Sequence, residues 1–384
     1  MRYRLTCLTP VLVGDGDRLS AIDYMVWKDH VNVLDQRRIF KLLSKGPRLD
    51  GYLNQLRRAT KLDFASWGGF AQNFADRRVP FEHPAYSAYW NRATGESLNI
   101  PTFAASHSGP YVPGSAIKGA LRTGLLFSAL KEATLHQLAA RSQGERPSRR
   151  PAEPAEDQLI GTGGTSRTRF FAVSDSAPVD YVPFKIYLLR ISTLVARGGD
   201  EYSLGWKQSP RGAVDGRKPQ DSTPMFAEMA SPGSVFEGTW RERDFLAQPE
   251  IRRMLGWREP VDRGQVFEAA NQYAASQLAI HQNYAARAGL PLFSKTLEEI
   301  EARLATARAA GACLLSLGWG AGVIGKSAWL DTANQDYRQI LKSVTLYNSA
   351  LASGLPFPKT RHIVFMNDQP ASVPGWAQLE IIGQ

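Results

Sequence analysis

Apolar and polar positions divide the chain into segments of distinct period. The first apolar run, YRLTCLTPVLVG, is β-branched enough for a buried strand and stops at the turn-forming GDGD of residues 14–17. AIDYMVW and HVNVLD then flank Lys28 and Asp29, the pattern of a hairpin. Asp35 stands before QRRIFKLL, where its carboxylate suits the N-cap of a short helix. Between residues 44 and 110 the periodicity is weak, and the aromatics of FASWGGF and YSAYW fit a packed helical insertion. The strongest helical pattern follows YVPGS. Pro113 and Gly114 end an extended segment, Ser115 is placed to cap, and Ile117, Leu121, Leu125 and Ala129 recur every four residues through AIKGALRTGLLFSALKEATLHQLAAR. Lys118 and Arg122 form a neighbouring stripe, one turn apart.

Beyond that helix, RSQGERPSRRPAEPAE holds too few apolar residues to bury a core, so a surface loop is expected over about 141–158. TRFFAVSDS and FKIYLLRISTLV read as strands. A long polar stretch with glycine and proline runs from Ala196 to Pro224, and SVFEGTWRER resumes the strand pattern. The remainder offers helices at about 261–288, 295–310 and 332–344 and the strands CLLSLGW, RHIVF and AQLEII. Strands and helices alternate without the regularity of a parallel sheet. Two compact α+β units with inserted loops fit better.

Composition bounds the partners. A chain of 384 residues with 43 % hydrophobic and 21 % charged residues can bury two cores, and its formal charge of +10 favours a polyanion, nucleic acid first. Scattered surface charge on a basic enzyme is the alternative. Cys7 and Cys313 lie in separate apolar runs, outside any Cys/His cluster, so neither structural zinc nor another metal is expected. Pro10 and the acidic GDGD spoil the first segment as a signal peptide, and no apolar run is long enough for a membrane span. A cytoplasmic location without membrane partners is expected.

Gly320 to Ser327, GAGVIGKS, match the phosphate-cradling loop of nucleotide hydrolases, and CLLSLGW supplies a strand before it. Asp368 after HIVFMN imitates the magnesium-holding acid of such enzymes. Against this, fewer than roughly 60 residues follow Ser327, short of a domain of roughly 100–150, and SAWLDTANQDY makes a poor helix. No nucleotide cofactor is expected. Gly320, Gly322 and Gly325, with Lys326, instead suit either the close approach of a phosphate backbone or a tight packed turn. For catalysis, Asp23 is flanked by Ile22 and Tyr24 within a strand-like segment, and Asp15 and Asp17 read as a turn. His107 in ASHSGP lacks a recognisable acid–base partner.

YVPGSAIKGALRTGLL resembles the motif of the RAMP superfamily of CRISPR-associated proteins, in which a proline–glycine–serine turn opens a helix bearing lysine and arginine. LTPVLVGDGDRLSAIDYMV, LIGTGGTSRTRFFAVSDS, FAEMASPGSVFEGTW and LSLGWGAGVIGKS are similar to further family segments, and their order is most similar to the branch found in type III-A (Csm) effector complexes. The resemblance implies two ferredoxin-like, RRM-related domains, at 1–195 and 231–384, separated by a thumb-like loop at 196–230. It implies a non-catalytic subunit capping a ribonucleoprotein filament, with CRISPR RNA, backbone and small Csm subunits, and target RNA as partners. Gly114, Ser115, Lys118 and Arg122 would then seat phosphates at a helix mouth, with Gly320, Gly322, Gly325 and Lys326 as a second contact and Arg167 and Arg169 as further ones. Lys118 and Arg122 read alone are equally solvated face charges. Met225 and Phe226 either tip the thumb against unstacked bases or begin the next strand. Backbone relatives cleave RNA with an aspartate near the position of Asp23, which is the enzymatic alternative.

Overall fold

The computed structural model describes residues 1–46, 48–58, 60–62, 73–143, 150, 152–198, 201–208 and 214–383. FASWGGF, most of the proline-rich stretch at 144–151 and parts of the 196–224 stretch therefore lie outside the described residues.

The N-terminal apolar run does what its alternation predicts. Arg2–Cys7 is a strand with Tyr3, Leu5 and Cys7 buried and the intervening residues more exposed. It lies in the middle of a five-stranded antiparallel sheet, in the order Cys313–Ser316, Trp376–Ile382, Arg2–Cys7, Val235–Glu242, Phe171–Val173. Leu5 stands opposite Phe236 on one side and Leu379 on the other.

A second sheet grows around the fifteen-residue strand Phe184–Gly198. Met225–Ala230 and then Glu201–Lys207 pair along one edge, and Thr360–Met366 pairs along the other. The hairpin of Phe184–Gly198 with Glu201–Lys207 occupies the start of the expected thumb region. Both sheets combine strands from early and late sequence.

The long helix Arg263–Ala288 is buried along much of its length and connects the layers. Gly124 of the motif helix Gly114–Ala129 meets it closely: a Cβ there would stand 2.9 Å from the Ala270 Cα. Asn271 donates to Ala312 O at 3.0 Å and accepts from Leu314 N at 3.0 Å, completing the backbone bonding of an edge strand. The helix Pro291–Ala309 packs alongside, through Phe293, Leu297 and Ile300.

The predicted hairpin forms from Tyr24–Trp27 and His30–Leu34, with Lys28 at φ 54° in its turn. Asp35 caps Gln36–Leu43, accepting from Arg38 N at 2.9 Å. The region at 44–110 is mixed where helix was expected. Arg48–Arg58 and Tyr86–Arg92 are helical, but Ala75–Pro80 is a third strand beside the hairpin. Arg77 on that strand forms a two-pronged ion pair with Glu228, whose side chain is 1 % exposed, and fastens the insertion to the second sheet. The motif helix also ends earlier than predicted, at Ala129. Leu130 and Lys131 are extended, and a separate helix runs from Glu132 to Ser142.

Candidate nucleic-acid interface

The first N–H at the mouth of the motif helix is taken by the protein itself. Gly114 N donates to Asp175 Oδ1 at 2.8 Å, and no side chain of the helix caps it. A carboxylate at this end is favoured by the helix dipole. Ser115 lies within the first turn, exposed, which corrects its assignment as the cap. Gly114 is required by packing, because a Cβ would come within 2.4 Å of Val173 O and 2.5 Å of Ser174 O.

Lys118 and Arg122 are also engaged. Lys118 Nζ donates to Phe171 O at 3.0 Å and sits 5.2 Å from the centroid of the Phe171 ring. Its pKa is lowered by burial, with Arg243 and Arg169 adding repulsion. Arg122 donates to Glu156 at 2.5 Å. Each thus has an acceptor within the protein. The acceptors lie 53 and 34 residues away in sequence, beyond the reach of helical spacing. Arg167 and Arg169 share one 3-10 turn, and Arg169 donates to Gly164 O.

The glycine loop is closed on one flank and open on the other. Gly318 has φ 72°, and a Cβ there would lie 2.0 Å from Leu12 O. Trp319 N donates to the same Leu12 carbonyl at 2.8 Å, and Leu317 N donates to Gly375 O at 2.7 Å. Gly320, at φ 89°, rests on the Pro374 ring. Gly322, at φ 63°, has nothing within 4 Å of a would-be Cβ. From behind, the Tyr273 hydroxyl lies 2.6 Å from Ile324 O and 2.8 Å from Ser327 O, and Gln277 donates to Ile324 O at 2.9 Å. Burial raises the Tyr273 pKa, so the hydroxyl keeps its proton. Tyr273, Gln277 and Asp175 were missed in the sequence. Their four-residue spacing on one helix face was the only signal for the first two.

These contacts exclude a nucleotide-hydrolase loop. The strand before the loop pairs antiparallel at a sheet edge, and the next helix begins only at Gln335. Ser327 Oγ donates to Trp329 O at 2.7 Å and lies 2.9 Å from the Tyr337 hydroxyl. Asp368 sits in a turn at φ 58° and accepts from Tyr89 at 3.2 Å.

The two motifs, about 200 residues apart, nevertheless share one cleft of about 1570 Å³. Gly318, Gly325 and Lys326 form one wall; Ala116, Gly119, Ala120 and Thr123 of the motif helix form another. The GDGD turn, Arg18 and Arg92 complete it, with Asp17 and Glu96 as the acids of its lining. Small side chains and loop backbone allow an extended polymer to approach closely, and Lys326 is exposed beside them. Arg122 and Lys326 also line a smaller adjoining cavity of about 290 Å³.

Met225 and Phe226 touch the cleft but tip no thumb. They pair with Leu189 and Leu188 as the first residues of a strand, and Phe226 is 1 % exposed, 6.0 Å edge-on to Phe81. Asp23 accepts from Ser20 N at 2.8 Å and from Ser20 Oγ at 2.5 Å, closing a turn before the hairpin. His107 is exposed in the turn between Ala105–Ser106 and Gly109–Pro110. Among the described residues no cluster of His, Cys, Asp and Glu is arranged for a metal, and no helix is long and apolar enough to cross a membrane.

Similarity to known proteins extends over the whole chain. The "CRISPR system Cms protein Csm5" of Methanocaldococcus jannaschii is 21 % identical over 407 residues, spanning 100 % of this chain and 89 % of the relative. A chain in the cryo-EM structure of a Csm–crRNA–target RNA ternary complex of a type III-A CRISPR-Cas system superposes with TM-score 0.64 at 18 % identity, covering 99 % of this chain and 100 % of that one. The crystal structure of T. onnurineus Csm5 gives TM-score 0.61 at 17 % identity, covering 97 % and 99 %. The model of the RAMP superfamily matches residues 4–322, from the central strand through the motif helix to the glycine loop, and the chain belongs to that superfamily.

Proposed function

We propose that this chain is the fifth Csm subunit of a type III-A CRISPR effector complex, holding the 3′ part of the CRISPR RNA and capping the backbone filament without cleaving RNA. The observation that carries this is the shared cleft. It joins the glycine loop to the small-residue face of the motif helix, and Arg18, Arg92 and Lys326 supply cations where a sugar–phosphate chain would run. Full-length likeness to Csm5 proteins and to a chain of a Csm–crRNA–target RNA complex supports the choice of assembly. In that frame the two sheets with their helices are the two ferredoxin-like units, and the cytoplasm is where the complex works.

Gly325 and Lys326, which line the cleft, are the proposed phosphate contacts of the loop, with Gly320 and Gly322 shaping its turn and Ser115 and Gly119 as the exposed positions of the helix. Asp23 spends its carboxylate on Ser20, which favours holding RNA over cutting it. The test is co-expression with the other Csm subunits and CRISPR RNA, followed by native mass measurement. One copy per complex, lost together with RNA 3′-end protection when this chain is omitted, is expected. Multiple copies per complex would make it a backbone subunit. Magnesium-dependent cleavage of labelled RNA abolished by Asp23→Ala would make it a nuclease.

A further inference from the structure

Behind the glycine loop, on the side away from the RNA cleft, lies a separate cavity of about 670 Å³. Gly320 and Gly322 line it, whereas Gly318, Gly325 and Lys326 line the cleft, so the loop is the partition between them.

The chemistry of this cavity is one-sided. Arg361, 6 % exposed, lies in its wall. Its Nη1 donates to Pro358 O at 2.7 Å and Thr360 O at 2.8 Å, and its Nε donates to His281 Nδ1 at 3.2 Å. Among the described residues Nη2 has no hydrogen-bond acceptor. The Tyr284 ring, 4.4 Å away, covers one face of the guanidinium. Lys207, Lys359 and His362 also line the cavity, and among the described residues no aspartate or glutamate does. Burial lowers the pKa of Arg361 to about 10, still charged at neutral pH. Burial, and then Arg361, push His281 well below its ordinary value, so it is a neutral acceptor and no counter-ion. Burial also lowers Lys207, with Lys359 repelling it.

A guanidinium removed from water normally has an anion beside it, because carbonyl dipoles compensate its desolvation only in part. Here no carboxylate shares the described lining of the cavity, while Lys207 and Lys359 do. The same lining is otherwise largely apolar and partly aromatic, with Leu346, Tyr347 and Phe357. The volume lies within the range of small-molecule sites. Cations and aromatic rings in one cavity suit a ligand that carries both a phosphate and a flat ring.

We infer that this cavity is a binding site for a single phosphorylated nucleotide, its phosphate on Arg361 and Lys359 and its base against Tyr347 and Phe357. The site is independent of the RNA cleft and stands whether or not that cleft holds CRISPR RNA. The nucleotide can be free or the phosphorylated end of an RNA chain, because the recognised chemistry is the same.

Calorimetric titration of the full chain with AMP, adenosine and inorganic phosphate tests this. AMP should bind saturably, phosphate should compete, and adenosine should bind at least tenfold more weakly. Arg361→Lys keeps the charge but loses the fork, and Lys359→Ala removes a half-buried rim cation; each should weaken AMP about tenfold. If Arg361→Lys fails to fold, Lys359→Ala carries the test alone. Displacement of AMP by an oligoribonucleotide with a terminal phosphate identifies a chain end, and failure of that displacement identifies a free nucleotide. No saturable binding at millimolar AMP, equal binding of adenosine, or an unchanged affinity in the folded variants overturns the assignment.

Discussion

The motif helix and the glycine loop carry the two segments most suited by sequence to grip a phosphate chain, yet the fold treats them differently. At the helix mouth Asp175 takes the first N–H, Phe171 O takes Lys118 and Glu156 takes Arg122. In the loop, Gly318 and Gly320 are pressed against the protein while Gly322 faces open space, and Lys326 is exposed. A charged motif can therefore serve as internal scaffolding, and a glycine motif can be half packing and half surface. Chemical type says what a segment is able to bind. Neighbours decide whether it is free to do so.

The sharpest way to break this contrast lies within the loop. Gly318→Ala should cost roughly 3 kcal/mol or more, or prevent folding, because the new methyl meets Leu12 O at 2.0 Å on a backbone already at φ 72°. Gly322→Ala should cost only about 1 kcal/mol, the strain of its φ alone. Urea unfolding of both proteins measures the difference, and equal losses would refute the description of one closed and one open flank.

Next in size is the brace behind the loop. Tyr273→Phe leaves Ser327 O without its donor, while Gln277 still serves Ile324 O. A loss of about 1–3 kcal/mol in thermal or chemical unfolding is expected. An unchanged stability would mean that the hydroxyl does not hold the loop.

The lysines separate the two regions in solution. Lys326→Ala should weaken RNA of all sequences alike and lower the salt slope of binding by about one. Lys118→Ala should instead reduce stability by about 1 kcal/mol, through the lost bond to Phe171 O, and leave the salt slope unchanged. A slope reduced by Lys118→Ala would return that residue to the RNA surface. Smallest is Arg122→Ala. Its pair with Glu156 is about one-third exposed on both sides and screened by water, so the change should stay within about 1 kcal/mol.

Much of the local structure was legible. The alternation of Tyr3, Leu5 and Cys7, the Lys28–Asp29 turn, the Asp35 cap and the Ile117–Leu121–Leu125 stripe are each written within a few adjacent residues, and each appears as read. Ser115 was misread because a serine after Pro-Gly is a competent cap only where no better acceptor arrives, and Asp175 arrives from 60 residues away. Met225 and Phe226 sit beside a polar stretch that gives no sign of their strand partners Leu189 and Leu188, or of the burial of Phe226. The strand Ala75–Pro80, ADRRVP, is too charged to read as a strand until Glu228 receives Arg77.

By itself, then, the sequence determined most of the elements and their periods, the superfamily and a formal charge of +10. Only the tertiary structure decided which strands share a sheet, which cations are already satisfied, and that two motifs about 200 residues apart wall one cleft. The division follows range. Helical and strand periods, turns and caps are interactions over a few residues, whereas sheet partners, counter-ions and close glycine packing depend on residues brought together from anywhere in the chain.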